Sequence, residues 1–67
     1  MPVDPVVTDH LGDIYWSVGR KREAQFQWHR ALSFKPEPKD AARIQLKLDK
    51  GLDQVLQDEK AKGGNGG

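Results

Sequence analysis

The sequence predicts an all-α fold, an antiparallel helical hairpin followed by a third helix. Apolar residues recur at helical spacing in three separate stretches, and glycine or proline closes each of the first two. The first two stretches are separated by only a few residues, and a link that short forces neighbouring helices to run antiparallel. No strand is expected.

The first helix begins at Asp4-Pro5. Asp caps free backbone amides, and proline is preorganised for the first helical position. Val7, Leu11, Ile14, Tyr15 and Val18 fall at i, i+4, i+7, i+8 and i+11, which is one helix face and the expected packing face. Gly19 ends the helix, because glycine tolerates the left-handed conformation common at helix stops. The second helix runs from Arg20 or Lys21 to about Phe34, with Ala24, Trp28, Ala31 and Leu32 inward and Phe26 on a different face.

The stretch KPEPKD, Lys35 to Asp40, is a break, since Pro36 and Pro38 cannot sit inside a helix without losing hydrogen bonds. Pro38 suits the first turn of the third helix, which is predicted to run to about Asp58. Ala41, Ile44, Leu48, Leu52, Val55 and Leu56 form its apolar stripe, and Lys, Arg, Gln and Asp cover the rest. Gly51 costs that helix about 1 kcal/mol relative to alanine. It marks a kink, a close-packing point or a tolerated weakness. Four glycines among the last five residues cannot repay their ordering entropy, so 60–67 is expected to be a disordered tail.

Bulk properties narrow the function classes. A chain of 67 residues holds at most one small domain and buries only about 60% of its unfolded surface. With no cysteine, neither disulfides nor thiolate metal sites are available, so stability has to come from helix packing or association. Eleven basic against ten acidic residues give a net charge of +1, which favours neither nucleic acid nor an acidic surface. The longest apolar run, Pro5-Val6-Val7, is far too short to span a membrane. Met1-Pro2-Val3-Asp4 lacks the basic and apolar regions of a signal peptide. A cytoplasmic location is favoured, without the compartment being fixed.

Leu11-Gly12 is followed by Tyr15, Ala24 by Trp28 four residues on, then Ala31 one turn later and Pro36 at the close. In this order and spacing the stretch resembles one tetratricopeptide repeat, whose pattern is W-x2-L-G-x2-Y, then A-x3-F, then P, over about 34 residues. Thr8 stands where the pattern has Trp, and Trp28 where it has Phe, which keeps an aromatic in the same packing role. The resemblance implies a single repeat unit over 5–36 and a C-terminal capping helix over 37–59. Small Gly12 and Ala24 would let the two backbones approach, and Tyr15 and Trp28 would fill the space between them.

The family resemblance implies protein–protein association without catalysis. One repeat cannot bury its hydrophobic face alone, and about three are normally needed. Leftover apolar surface is therefore expected to seek another protein or a second copy, a dimer being favoured because two-fold closure is the commonest oligomer geometry. Trp16, next to Tyr15 and pointing away from the Leu11–Tyr15 face, would lie on the groove side of such a repeat, with Asp9, Asp13 and Ser17. Those four are the candidate partner-binding residues. Asp9 and Asp13 form an i, i+4 carboxylate pair, whose bland reading is a solvated face. They would repel the C-terminal carboxylate that chaperone-binding repeats hold with basic and Asn side chains on this face.

Other chemistries find little to work with. His10 and His29 stand 19 residues apart on different helices, without metal-ligand spacing, and no metal or cofactor is expected. No nucleophile–base set, phosphate loop or zinc spacing is present, so no catalytic residue and no small-molecule substrate are assigned. Arg20-Lys21-Arg22 is a short basic run offset by Glu23, read as solvated. Two rival readings stand beside the self-associating module. One is a C-terminal folding cap of a longer repeat array. The other is a nucleic-acid-binding helical module centred on Arg20, Lys21, Arg22 and Arg30.

Overall fold

A computed structural model of the chain describes residues 4–66, with side chains through residue 63. It is all-helical: α1 spans Pro5–Ser17, α2 Lys21–Ser33, α3 Pro38–Lys50 and α4 Leu52–Gly66, and no strand occurs among the described residues. None of these helices is long and apolar enough to cross a membrane.

The punctuation residues act as expected at three of the helix ends. Asp4 Oδ1 accepts hydrogen bonds from the Val6 and Val7 amides at 2.9 and 3.4 Å, and Pro5 takes the first turn. Gly19 adopts φ +85°. The Arg20 amide then reaches back to the Tyr15 carbonyl at 2.9 Å and the Gly19 amide to Trp16 at 3.0 Å, the paired bonds of a Schellman stop. After α2, Lys35 takes the left-handed conformation (φ +55°) that glycine usually fills, and Pro36 follows. Pro38 opens α3.

The third helix differs from the expectation. It is not one helix over Pro38–Asp58 but two, broken at Gly51. Gly51 has φ +88°, a conformation no helix interior contains. Its amide still donates to the Lys47 carbonyl at 2.8 Å, and its own carbonyl accepts from the Val55 amide at 3.2 Å, so one residue ends α3 and starts α4. A Cβ there would lie 2.8 Å from Trp16 Cη2, so the close-packing reading of Gly51 also holds. Residues 60–66, expected as a Gly-rich disordered tail, lie within α4, which meets no proline after its start. Gly67 lies outside the described residues.

The core lies where the four helices converge. Ala24, Trp28 and Ala31 of α2 meet Ile44 of α3 and Leu52 of α4, with Tyr15, Trp16, Leu32 and Leu48 packed around them. Val55 is buried as well. Trp28 is fully enclosed and lies directly against Gly12, where a Cβ would sit 2.4 Å from its Nε1. The small-residue approach expected between α1 and α2 is therefore real, and it serves the Trp28 indole.

Helix α1 is turned against its expected orientation. Its only buried residue is Gly12. Val7, Leu11, Ile14 and Val18, the expected packing face, are 63%, 38%, 59% and 66% exposed. At 100° per residue they lie opposite Asp9, Gly12, Asp13 and Trp16, which face the other helices. Of the expected apolar stripe only Tyr15 packs against the core.

Candidate functional site

The candidate partner-binding residues Asp9, Asp13, Trp16 and Ser17 all lie on α1. Asp9 and Asp13 are one turn apart and so project together. The space before them is filled from within the chain. Lys47 of α3 reaches across, its Nζ 2.8 Å from Asp9 Oδ1 and 2.9 and 3.1 Å from Asp13 Oδ1 and Oδ2. Its side chain is 0% exposed, against 13% for Asp9 and 28% for Asp13.

The Trp28 indole completes the cluster. Its N–H donates to Asp13 Oδ1 at 3.1 Å and to the Asp9 backbone carbonyl at 3.3 Å, and its ring lies 6.0 Å from Lys47 Nζ. A buried ammonium is tolerable only when paired and hydrogen-bonded, and here it has both conditions. Two carboxylates, one ammonium and one indole N–H thus join α1, α2 and α3. The bland solvated-face reading of Asp9 and Asp13 and the partner-contact reading both give way to an internal tie.

Trp16 is half-buried rather than a free anchor. Its ring centroid lies 5.5 Å from that of Trp28, tilted by 34°, and its six-membered ring rests on Gly51. Lys21 Nζ covers the ring at 4.8 Å. Ser17 is exposed, and its hydroxyl donates to the Ile14 carbonyl one turn back at 2.8 Å. The structure therefore brings Asp9, Asp13 and Trp16 together, but toward α3 and the Gly51 junction.

Lys47 is the residue that sequence reasoning missed, having grouped it with the polar cover of the third helix. A signal was present: Lys47 sits at i+3 from Ile44, inside the apolar stripe, while Asp9 and Asp13 had no counter-charge nearby in sequence.

What α1 and its C-cap residue Val18 offer to the outside is the Val7–Leu11–Ile14–Val18 stripe. The α3–α4 side is different. There Leu46 and Leu56 are about half exposed, but polar bridges cross the face. Arg43 donates to both carboxylate oxygens of Glu59, with Nη2 to Oε1 at 2.8 Å, and Lys50 pairs with Asp58 at 2.9 Å. The Arg43 hydrogen bonds hold the Glu59 carboxyl below its ordinary range, and Glu59 in turn raises Arg43. Lys50, and then Gln54, hold Asp58 below its ordinary range.

The chain matches no family model, no curated protein and no solved structure. A recess of about 120 Å³ between the starts of α1 and α3 is lined by Pro5, Val6, Asp9, His10, Asp40 and Arg43 among others. It mixes both signs of charge and has room for a few waters. Among the described residues no group of three or more His, Cys, Asp or Glu side chains could hold a metal ion.

Proposed function

We propose that the chain is a non-catalytic protein–protein association unit of the tetratricopeptide type, and that it offers the outer face of α1 to another helix. The observation that carries this reading is the exposure of Val7, Leu11, Ile14 and Val18 along one side of α1, while the opposite side is closed by Lys47. Exposed side chains of this size in one contiguous line mark an interaction surface more often than scattered apolar residues do. The repeat assignment draws support from Gly12 lying under Trp28, and from Ala24 and Ala31 at zero exposure against the neighbouring helices. Gly12, Ala24, Trp28 and Ala31 stand at the small and aromatic positions of the pattern, and their close packing supports the reading.

The difference between the two sides supports a second reading, a folding cap at the end of a longer array. The α1 side is apolar and open, whereas the α3–α4 side is crossed by Arg43–Glu59 and Lys50–Asp58. Terminal repeats need a polar outer face of that kind. The nucleic-acid reading gains nothing, since Lys21 lies over the Trp16 ring and Arg30 over the Phe34 ring at 5.5 Å.

The test is a fusion of one consensus tetratricopeptide hairpin ahead of Pro5, in repeat register. Docking on α1 should give one cooperative unfolding transition at a higher melting temperature than the chain alone, and Leu11→Asp should abolish the gain. Two independent transitions, with that of the chain unchanged, would overturn the reading.

A further inference from the structure

The exposed residues of α1 have a spacing that favours one kind of occupant. Val7, Leu11, Ile14 and Val18 are separated by four, three and four positions, the alternation of a coiled-coil seam over two heptads. Such a seam accepts a helix crossing at a shallow angle of about 20°. We infer that the occupant is α1 of a second copy of this chain, lying antiparallel about a two-fold axis between Leu11 and Ile14, so that Leu11 of each copy meets Ile14 of the other. This rests on the association reading and adds its partner and register.

The seam is its own complement. Four positions arranged symmetrically about one midpoint pair Val7 with Val18 and Leu11 with Ile14, twice each, as an isologous contact requires. The positions flanking the seam are Thr8 and Tyr15 on one side, and His10 and Ser17 on the other. None carries a fixed charge, so a second copy meets no like-charge repulsion. Parallel pairing would instead bring two exposed Asp4 carboxylates together at the next seam position and align the helix dipoles.

Four exposed side chains make a short seam, which places the pair at the small end of specific interfaces, about 1,200 Å² in total. A contact at that end of the range is sought from micromolar to millimolar concentration. The contact is closed. On the α3–α4 side, half-exposed Leu46 lines a recess with Lys50, Asp58 and Glu59, and those charges leave no matching apolar seam for head-to-tail growth.

Sedimentation equilibrium from micromolar to millimolar concentration, with helicity checked by circular dichroism, tests the pairing. The native chain should fit a monomer–dimer equilibrium. Leu11→Lys and Ile14→Asp, both at exposed positions, should each weaken it at least tenfold alone. Mixed one to one they should recover a heterodimer, because the introduced ammonium then faces the introduced carboxylate. The His10→Cys, Ser17→Cys double variant should give an interchain disulfide under oxidation. The two sites lie about 10 Å apart along one helix, beyond the reach of an intrachain bridge. A native chain that stays monomeric at millimolar concentration overturns the inference, and so does a dimer that neither substitution weakens or that the cysteine pair fails to trap. If the native chain is monomeric while the upstream hairpin still docks on α1, the second copy is refuted and the association reading stands.

Discussion

Replacing Lys47 by methionine keeps the length and volume of the side chain and removes its charge. At 2.8–2.9 Å, each Lys47–Asp contact carries a gross attraction of about 6 kcal/mol at an effective dielectric constant of 20, most of it offset by desolvation of the ions. The net cost comes from the carboxylates left behind. Asp9 and Asp13 would face each other across one helical turn with no hydrogen-bonded cation, only the Arg43 guanidinium acting from further off, and removing one partner of a buried pair typically costs about 3–5 kcal/mol. Their residual exposure of 13% and 28% lets water soften this, so about 3 kcal/mol is expected. A chain of 67 residues has a total stability of about 3–10 kcal/mol, so Lys47→Met should remove a third of it or more. Urea unfolding followed by circular dichroism and by Trp16 and Trp28 fluorescence measures the loss. Adding Asp9→Asn and Asp13→Asn to Lys47→Met should recover most of it, since the carbonyl of an amide at 13 can still accept from the Trp28 indole. A loss below 1 kcal/mol for Lys47→Met, or no recovery in the triple variant, would refute the internal tie.

Gly12→Ala places a methyl 2.4 Å from Trp28 Nε1 and should cost about 3 kcal/mol through overpacking and the lost Asp9 and Asp13 hydrogen bonds; a melting temperature within a degree or two of the native value would contradict it. Gly51→Ala combines a φ of +88° with a contact 2.8 Å from Trp16, and should cost about 2 kcal/mol and shift the Trp fluorescence; a neutral result would mean α3 and α4 are not broken there. Glu59, held below its ordinary value of 4.5 by Arg43, stabilises the fold above that pH and loses its contribution as pH falls through its folded value. Because the pair is exposed, that contribution is at most about 0.5 kcal/mol; an NMR titration placing the Glu59 carboxyl at or above 4.5 would refute the pairing.

Helix ends were legible because their causes are local. Asp4-Pro5, Gly19 and Lys35-Pro36 act on the backbone within a few residues. The Gly12–Trp28 approach was also legible, since it needs only a small residue opposite a large one. At Gly51 the sequence leaves a kink, a close-packing point and a tolerated weakness open, and the full break is not among them. Whether a glycine bends, breaks or merely weakens a helix depends on what lies against it, and Trp16 stands 35 positions earlier.

The orientation of α1 was the larger departure. Periodicity identifies an apolar face and assumes that this face turns inward, a sound assumption when the opposite face has nothing to bury. Here the opposite face holds Asp9 and Asp13, and the buried ammonium of Lys47, 34 positions beyond Asp13, makes them interior residues. The apolar stripe is then left exposed.

Everything proposed for association depends on that orientation. Methyl NMR of the dilute chain with a soluble paramagnetic probe tests it most directly. The methyl signals of Val7, Leu11, Ile14 and Val18 should broaden strongly, and those of Ile44, Leu52 and Val55 should be protected. Protection of the α1 methyls in the dilute monomer would show that the stripe faces inward, and would contradict the account.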